Sequence, residues 1–216
     1  MSAWDSLLNR ALAALDHLDR SGTPLRRWAL GGGTALMLHH QHRDSKDIDL
    51  FIDDPQYLGL LSPRLNNAFD IDEIDYEEAA HYLKVRFPEG EIDVIVASSL
   101  GSAPHSVFSF QGREIAIETP AEIALKKLYY RPATLKPRDI FDVAVVLTTG
   151  RSALIRDLSV LSPVKPALEM RLSTLSEPFL QLALDGLDIF QPWEWLKASA
   201  RPMVSELVSM IPRTEP

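Results

Sequence analysis

The chain has 216 residues, 46% of them hydrophobic, no cysteine and a formal net charge of −8. This length allows one large core or two modest ones, the lack of cysteine excludes disulfides and thiolate metal sites, and the acidic balance argues against a general nucleic-acid coat protein. No stretch approaches the roughly 20 apolar residues of a membrane span, and no signal peptide is evident, so we expect a cytoplasmic protein without a membrane segment.

The first predicted elements lead to a run of three glycines. Residues 4–18 place leucines and alanines at helical spacing, and residues 26–30 follow as a short strand. Glycines 31–33 come next, before an apolar, helix-compatible run at residues 34–40. We therefore predict a strand, a glycine turn and a helix N-terminus in that order.

Such a turn can approach a phosphate through bare backbone N–H groups, helped by the helix dipole. Thr34 either caps the helix or donates its hydroxyl to the phosphate. The spacing differs from that of a P-loop and from the dinucleotide fingerprint. We predict that Gly32, Gly33 and Thr34 hold a triphosphate.

Residues 47–52 alternate acidic and apolar side chains, as a half-buried strand does. Asp47 and Asp49 then lie on one face, roughly 6.5–7 Å apart at the backbone. Two such carboxylates can converge on Mg²⁺. The alternative is a solvated strand face with no ligand.

Asp93 stands inside an apolar, β-branched strand predicted at residues 91–97, which forms a hairpin with residues 81–87. An ionised carboxylate there is costly to bury unless a cation or hydrogen bonds compensate. The alternative is an Asp at a strand end, bonded to loop backbone. Lys84 on the partner strand either reaches the same place or is an ordinary exposed lysine.

The remaining elements are mostly helical. Between the acidic strand and the hairpin, residues 55–66 read as a helix with a break near Pro63, whereas residues 70–78 do not decide between an edge strand and a loop. A second hairpin is predicted around residues 111–113. Thr119, Pro120 and Glu122 mark a helix start, and residue 136 opens the next helix. Further helices are predicted at 154–161, 166–175, 177–187 and 193–211.

Several of these motifs together resemble the AbiEii/AbiGii toxin group of the nucleotidyltransferase superfamily. The matching runs are Gly32-Gly33-Thr34-Ala35-Leu36, His42-Arg43, Ser45, Asp47-Ile48-Asp49-Leu50-Phe51, Glu122-Ile123-Ala124-Leu125-Lys126-Lys127-Leu128 and Arg138-Asp139-Ile140-Phe141-Asp142. The resemblance covers residues 26–148. It implies an α+β fold: a nucleotidyltransferase-type mixed β-sheet with flanking helices at residues 1–110, then a mainly helical C-terminal lobe at 111–216 that completes the nucleotide site.

The resemblance also implies roles for individual residues. The implied catalytic residues are Asp47, Asp49, Asp93 and Lys127; the metal ligands, for Mg²⁺ or Mn²⁺, are Asp47, Asp49 and Asp93; and the nucleotide-binding residues are Gly32, Gly33, Thr34, Ser45, Lys127 and Asp142. Two alternatives stay open. Lys126 competes with Lys127, since neighbours on a helix point about 100° apart, and Asp142 can pair with Arg138 along its own helix.

The activity that the resemblance implies is metal-dependent transfer of an NMP from an NTP such as ATP or GTP to an acceptor hydroxyl. We favour the 3′ end of RNA or tRNA as acceptor. The chain would be the toxin of a bacterial toxin–antitoxin or phage-abortive system, with a cognate antitoxin as partner. The alternatives are a nucleotide-binding or antitoxin-like module without turnover, and a phosphotransferase that moves the γ-phosphate.

Overall fold

The computed structural model describes residues 2–69 and 75–213. Its helices are α1 Ala3–Arg20, α2 Gly32–His40, α3 Gln56–Leu61, α4 Pro120–Tyr130, α5 Pro137–Arg156, α6 Lys165–Thr174, α7 Glu177–Asp185 and α8 Ala200–Met210. Its strands are β1 Trp28–Gly31, β2 Ile48–Ile52, β3 Asp75–Ala79, β4 Tyr82–Phe87, β5 Gly90–Val96, β6 His105–Phe110 and β7 Arg113–Glu118. Two 3₁₀ helices span Leu158–Val164 and Gln191–Ala198.

The chain divides into two compact units. The first comprises Met1–Ala35, Ser45–Ser98 and Ser106–Glu118. The second comprises Leu36–Asp44, Ser99–His105 and Thr119–Pro216. Each unit is therefore built from separate stretches of the sequence.

The first unit contains a seven-stranded mixed sheet in the order β3-β4-β5-β2-β1-β7-β6. The central strand β2 pairs in parallel with β5 and antiparallel with β1. Strand β4 pairs antiparallel with both β3 and β5, and β1 pairs in parallel with β7. The predicted α+β fold with a mixed sheet and flanking helices is confirmed.

One face of β2 forms part of the core of this unit. Ile48, Leu50 and Ile52 are buried, while Asp49 between them is half-buried. Helix α1 packs against β2 and β5 with its apolar side. Because strand side chains alternate, burial of this face turns Asp49 to the opposite one.

The second unit is mainly helical. Helix α4 begins as predicted: Pro120 is at its first position and the Thr119 hydroxyl accepts a hydrogen bond from the Glu122 backbone N–H (3.4 Å). Helix α5 packs against α4 and α8, and its Phe141 is fully buried.

Three local predictions need comment. The predicted order of strand, glycine turn and helix N-terminus is present, but the turn is shorter than expected: β1 ends at Gly31 and α2 begins at Gly32, whose φ of 67° makes the change of direction in one residue. Thr34 is therefore inside the helix and is not its cap. The helix predicted at 154–161 is not continuous: α5 ends at Arg156, and a tighter 3₁₀ helix containing Pro163 follows.

The acidic tract that the sequence left undecided is partly visible. Residues 75–79 form the edge strand β3, whereas residues 70–74 lie outside the described residues. None of the helices in the described ranges is both long and apolar enough for a membrane crossing.

Candidate active site

Two of the predicted carboxylates are brought side by side by strand pairing. Asp49 on β2 is the direct partner of Asp93 on β5, and the two strands run parallel. Residues paired in this way have side chains on the same face, with strands about 4.8 Å apart. The sheet thus places two acidic groups as neighbours from positions that are 44 residues apart in the sequence.

Gly32 lies against the Asp49 carboxylate. A Cβ atom at Gly32 would clash with the Asp49 side chain, and the left-handed backbone of Gly32 independently favours glycine. The carboxylate therefore approaches the backbone where α2 begins. This contact joins two motifs that the sequence showed separately, the glycine run and the acidic strand.

Asp47 precedes β2 and is held by its neighbours. One of its carboxylate oxygens accepts a hydrogen bond from the Glu91 backbone N–H (3.1 Å). Its backbone carbonyl accepts a hydrogen bond from the fully buried Thr34 hydroxyl (2.5 Å), which is also bonded to the Ser45 hydroxyl (3.1 Å). Thr34 and Ser45 thus fix the chain that enters β2.

Asp93 also pairs with a lysine from the strand on its other side. Lys84 on β4 is the register partner of Asp93. Its Nζ donates a hydrogen bond to Asp93 Oδ2 (2.8 Å) and lies 2.8 Å from Oδ1, a buried oxygen that accepts no hydrogen bond within the described residues. Lys84 Nζ also donates to Glu91.

The charge state of this pair reflects two opposing effects. Burial raises the pKa of Asp93 above its usual value, and this effect outweighs the hydrogen bond from Lys84. The carboxylates of Glu91 and Asp47 add to the rise. Burial alone would lower the pKa of Lys84, but its hydrogen bonds to Asp93 and Glu91 raise it. Lys84 therefore stays charged.

The fit of these residues to a divalent metal rests on two carboxylates. Asp49 and Asp93 are neighbours on one face, and Asp93 Oδ1 is buried, with the Lys84 ammonium at 2.8 Å as its charged neighbour. Carboxylate oxygens suit Mg²⁺ and Mn²⁺. Within residues 2–69 and 75–213, no three His, Cys, Asp or Glu side chains converge closely enough to hold a metal ion. The pair Asp49 and Asp93 is the part of the predicted metal site that the fold assembles.

A second group of charged residues is buried in the second unit. Asp142, on α5, accepts two hydrogen bonds from the Arg43 guanidinium, Nε to Oδ1 and Nη2 to Oδ2, both 2.8 Å. His42 Nε2 lies 2.9 Å from the same Oδ1. The intrahelical pair of Asp142 with Arg138 is not formed among the described residues, because Asp142 is fully buried and Arg138 is exposed.

Lys127 completes this buried ion cluster. Its ammonium lies 2.7 Å from Asp139 Oδ1 and 3.0 Å from Asp142 Oδ2, and its side chain is only 10% exposed. Burial alone would raise the pKa of Asp142, but Arg43, Lys127 and His42 hold it well below its usual range. Lys127 and Arg131 likewise lower the pKa of Asp139 against the effect of burial. Both carboxylates are therefore ionised.

Lys126 and Lys127 point to different neighbours. Lys126 is buried and lies 3.8 Å from Glu122, one turn earlier on α4. Glu122 in turn accepts hydrogen bonds from the backbone N–H groups of Leu100 (2.9 Å) and Gly101 (2.7 Å). Lys127 is thus the lysine that contacts the Arg-Asp-x-x-Asp motif at the start of α5.

Sequence reasoning missed two members of the buried ion cluster. His42 and Arg43 belong to the matched motifs, but no acidic partner was predicted for either. Their partner Asp142 is 99 or 100 residues away. The sequence signal was a basic pair directly before an acidic strand, which by itself does not name a distant partner.

A family model agrees with the motifs. A family model described as nucleotidyl transferase AbiEii toxin, type IV TA system, matches residues 15–177. A crystal structure of an antigenic nucleotidyltransferase-like protein from Paracoccidioides brasiliensis has 18% sequence identity and a TM-score of 0.39, over 95% of this chain and 94% of that chain. A search of curated proteins gives no match.

Proposed function

Because the chain belongs to the AbiEii family of nucleotidyltransferase toxins, we propose that it moves an NMP from an NTP to an acceptor hydroxyl and releases pyrophosphate. The acceptor we favour is the 3′ end of RNA or tRNA, in the cytoplasm. The observation that carries this proposal is the parallel register of β2 and β5, which pairs Asp49 with Asp93 beside Gly32. Nucleotidyl transfer needs acidic groups that lie next to a place for phosphates.

Asp49 and Asp93 would hold Mg²⁺ or Mn²⁺, with Asp47 as a third ligand. When bound, the metal would neutralise charge on the phosphates and on the leaving pyrophosphate. Asp47 would offer the metal its second carboxylate oxygen, since one oxygen accepts a hydrogen bond from the Glu91 backbone N–H. Asp93 is also suited to orient the acceptor hydroxyl or remove its proton, because burial raises its pKa.

The start of α2 would bind the triphosphate. Gly32 and Gly33 present backbone N–H groups without side chains, at the positive end of the helix dipole. Thr34 and Ser45 would act indirectly, by holding the chain that leads into β2, since the Thr34 hydroxyl already donates a hydrogen bond to the Asp47 carbonyl. A short, rigid connection between phosphate and metal ligands favours one productive geometry.

The reaction is an in-line displacement. The acceptor oxygen forms a bond to the α-phosphorus, and the bond from that phosphorus to the bridging oxygen of the β-phosphate breaks. Pyrophosphate leaves with the bonding electron pair, and the proton of the acceptor hydroxyl passes to Asp93 or to water. The phosphate contact predicted for Lys127 and the nucleotide contact predicted for Asp142 stay predictions, because both side chains are bound within the buried ion cluster.

The family is described as the toxin of a type IV toxin–antitoxin system, and this membership suggests a protein partner. We propose that a cognate antitoxin limits the activity in the cell. Growth arrest on expression of the chain, absent in an Asp49→Asn variant, is the expected cellular result.

The test is incubation of the purified protein with Mg²⁺, total cellular RNA and each α-³²P-labelled NTP in turn, with γ-³²P-labelled NTP in parallel. We expect α-label on RNA, γ-label in pyrophosphate, and neither in an Asp47→Ala/Asp49→Ala variant. Transfer of γ-label to an acceptor would instead identify a phosphotransferase. NTP binding without transfer to RNA, protein or small acceptors would favour a binding module.

A further inference from the structure

Lys84 occupies the side of Asp93 opposite to Asp49. Strand β5 lies between β2 and β4, so Asp93 has Asp49 as its partner on one side and Lys84 on the other. The Lys84 ammonium is 2.8 Å from both Asp93 oxygens. Asp93 is thus placed between a carboxylate that would share a metal with it and a lysine that already neutralises it.

We propose that Lys84 is an internal counter-cation of Asp93 that a divalent metal ion displaces, so that this lysine sets the metal concentration at which the site fills. The inference rests on the proposed function, since it takes Asp49 and Asp93 as metal ligands. Lys84 is in this view a positioning residue, because it acts on the metal through Asp93.

The contact can break because both partners are partly exposed. The side chains of Lys84 and Asp93 are 21% and 20% exposed. Lysine is a point charge on a flexible stem, so it can swing aside without the loss of a fixed bidentate geometry. Lys127 is a contrast, since two fully buried carboxylates hold it.

Glu91 gives the displaced lysine a second partner. Lys84 Nζ already donates a hydrogen bond to Glu91, whose side chain is 35% exposed. When a metal takes Asp93, the ammonium can stay with Glu91 and need not enter an apolar environment unpaired. An ammonium and a divalent cation that share one carboxylate repel each other, so each weakens the binding of the other.

The experiment measures Mn²⁺ affinity of the full chain from the signal of free Mn²⁺ in electron paramagnetic resonance. In Lys84→Met we expect Mn²⁺ to bind about tenfold more tightly than in the wild type, because a repelling charge is gone. Lys84→Arg keeps the charge and should bind within about twofold of the wild type. The matched control is Arg86→Met, which removes a cation from the same strand that pairs with Glu91 but not with Asp93.

Thermal unfolding distinguishes the proposed role from a purely structural one, because a purely structural lysine would not change the gain in Tm that Mn²⁺ produces. Without metal, Lys84→Met should melt below the wild type, and saturating Mn²⁺ should raise its Tm by more than it raises that of the wild type. An equal loss of Tm with and without Mn²⁺, or an unchanged or weaker affinity in Lys84→Met, would overturn the inference.

An Asp49→Asn variant separates this inference from the proposed function. Loss of Mn²⁺ binding in Asp49→Asn with no gain in Lys84→Met would overturn only the role of Lys84. An Mn²⁺ affinity that is the same in Asp49→Asn as in the wild type would overturn the metal site and the inference together. Absence of Mn²⁺ binding by the wild type would do the same.

Discussion

The two charged groups of this protein differ in how completely the fold neutralises them. In the buried ion cluster of the second unit, Arg43 and Lys127 match Asp139 and Asp142, and both carboxylates are fully buried. On the sheet of the first unit, Asp93 shares one partly exposed lysine with Glu91. Removal of one partner from a buried cluster leaves an unpaired buried charge and is costly to the fold, whereas partly exposed carboxylates with one shared lysine are better placed to meet a ligand.

The acidic residues of the sequence motifs therefore differ in role: those on α5 maintain the fold, and those on the sheet are placed for activity. Substitution in the buried ion cluster should first affect folding, and substitution on the sheet should first affect activity. Measurement of the free energy of unfolding and of the transfer activity on the same variants tests this distinction.

The largest effect on stability is expected from Asp142→Ala. The change leaves Arg43 and Lys127 without their shared, fully buried partner, so we expect a loss of about 3–5 kcal/mol in the free energy of unfolding. Urea denaturation followed by circular dichroism measures it. The control is Asp16→Ala, which breaks an exposed pair with Arg113 and should cost less than about 1 kcal/mol. Equal losses of unfolding free energy in the two variants would show that the buried ion cluster is no more important for folding than an exposed ion pair.

Asp49→Asn should show the opposite pattern. We expect transfer to fall about 10²- to 10³-fold, which corresponds to about 3–4 kcal/mol of transition-state stabilisation. The free energy of unfolding should change by less than about 1 kcal/mol, because Asp49 is only half-buried and asparagine keeps its size. Initial rates with α-labelled NTP, together with the same urea experiment, test this. An Asp49→Asn variant that is clearly destabilised but keeps the specific activity of the wild type would reverse the assignment.

Acid should remove the contribution of Asp142 only at low pH. The pKa of this carboxyl is well below 3.8 in the folded protein and near 3.8 in the unfolded chain. Its stabilising contribution is thus complete above about pH 5 and is lost by about 1.4 kcal/mol per pH unit as the pH falls below about 4. The difference in unfolding free energy between the wild type and Asp142→Asn should stay constant from pH 8 to pH 5 and shrink below pH 4. A difference that stays constant as the pH falls below 4 would contradict the lowered pKa of Asp142.

The smallest effect is expected from Thr34→Val, which keeps the buried volume but removes the hydroxyl. Loss of the hydrogen bond to the Asp47 carbonyl should cost about 1 kcal/mol of stability. Activity should fall less than in Asp49→Asn, since the metal ligands remain. Ser45→Ala is the matched variant, because it removes the other hydroxyl of the pair. A fall in activity as large as that of Asp49→Asn, without loss of stability, would instead indicate direct phosphate binding by Thr34.

Much of the fold could be predicted from periodicity and end signals. The hairpin that contains Asp93, the helix start at Thr119 and the helix α1 are close to their predicted bounds. The glycine run was harder, because three glycines fit both an open turn and a direct passage from strand to helix. Only the packing of Gly32 against Asp49 distinguishes the two.

The residue types of the site follow from local sequence patterns: alternating acids on one strand, an acid inside an apolar strand, and glycines before a helix. The partners of these residues depend on how distant parts of the chain pack together. Strand register made Asp93 the neighbour of Asp49 and Lys84, and helix packing brought Arg43 to Asp142. The physical reason is that side-chain periodicity is a local property of the backbone, whereas a charge takes as its partner whichever opposite charge the folded chain brings near it.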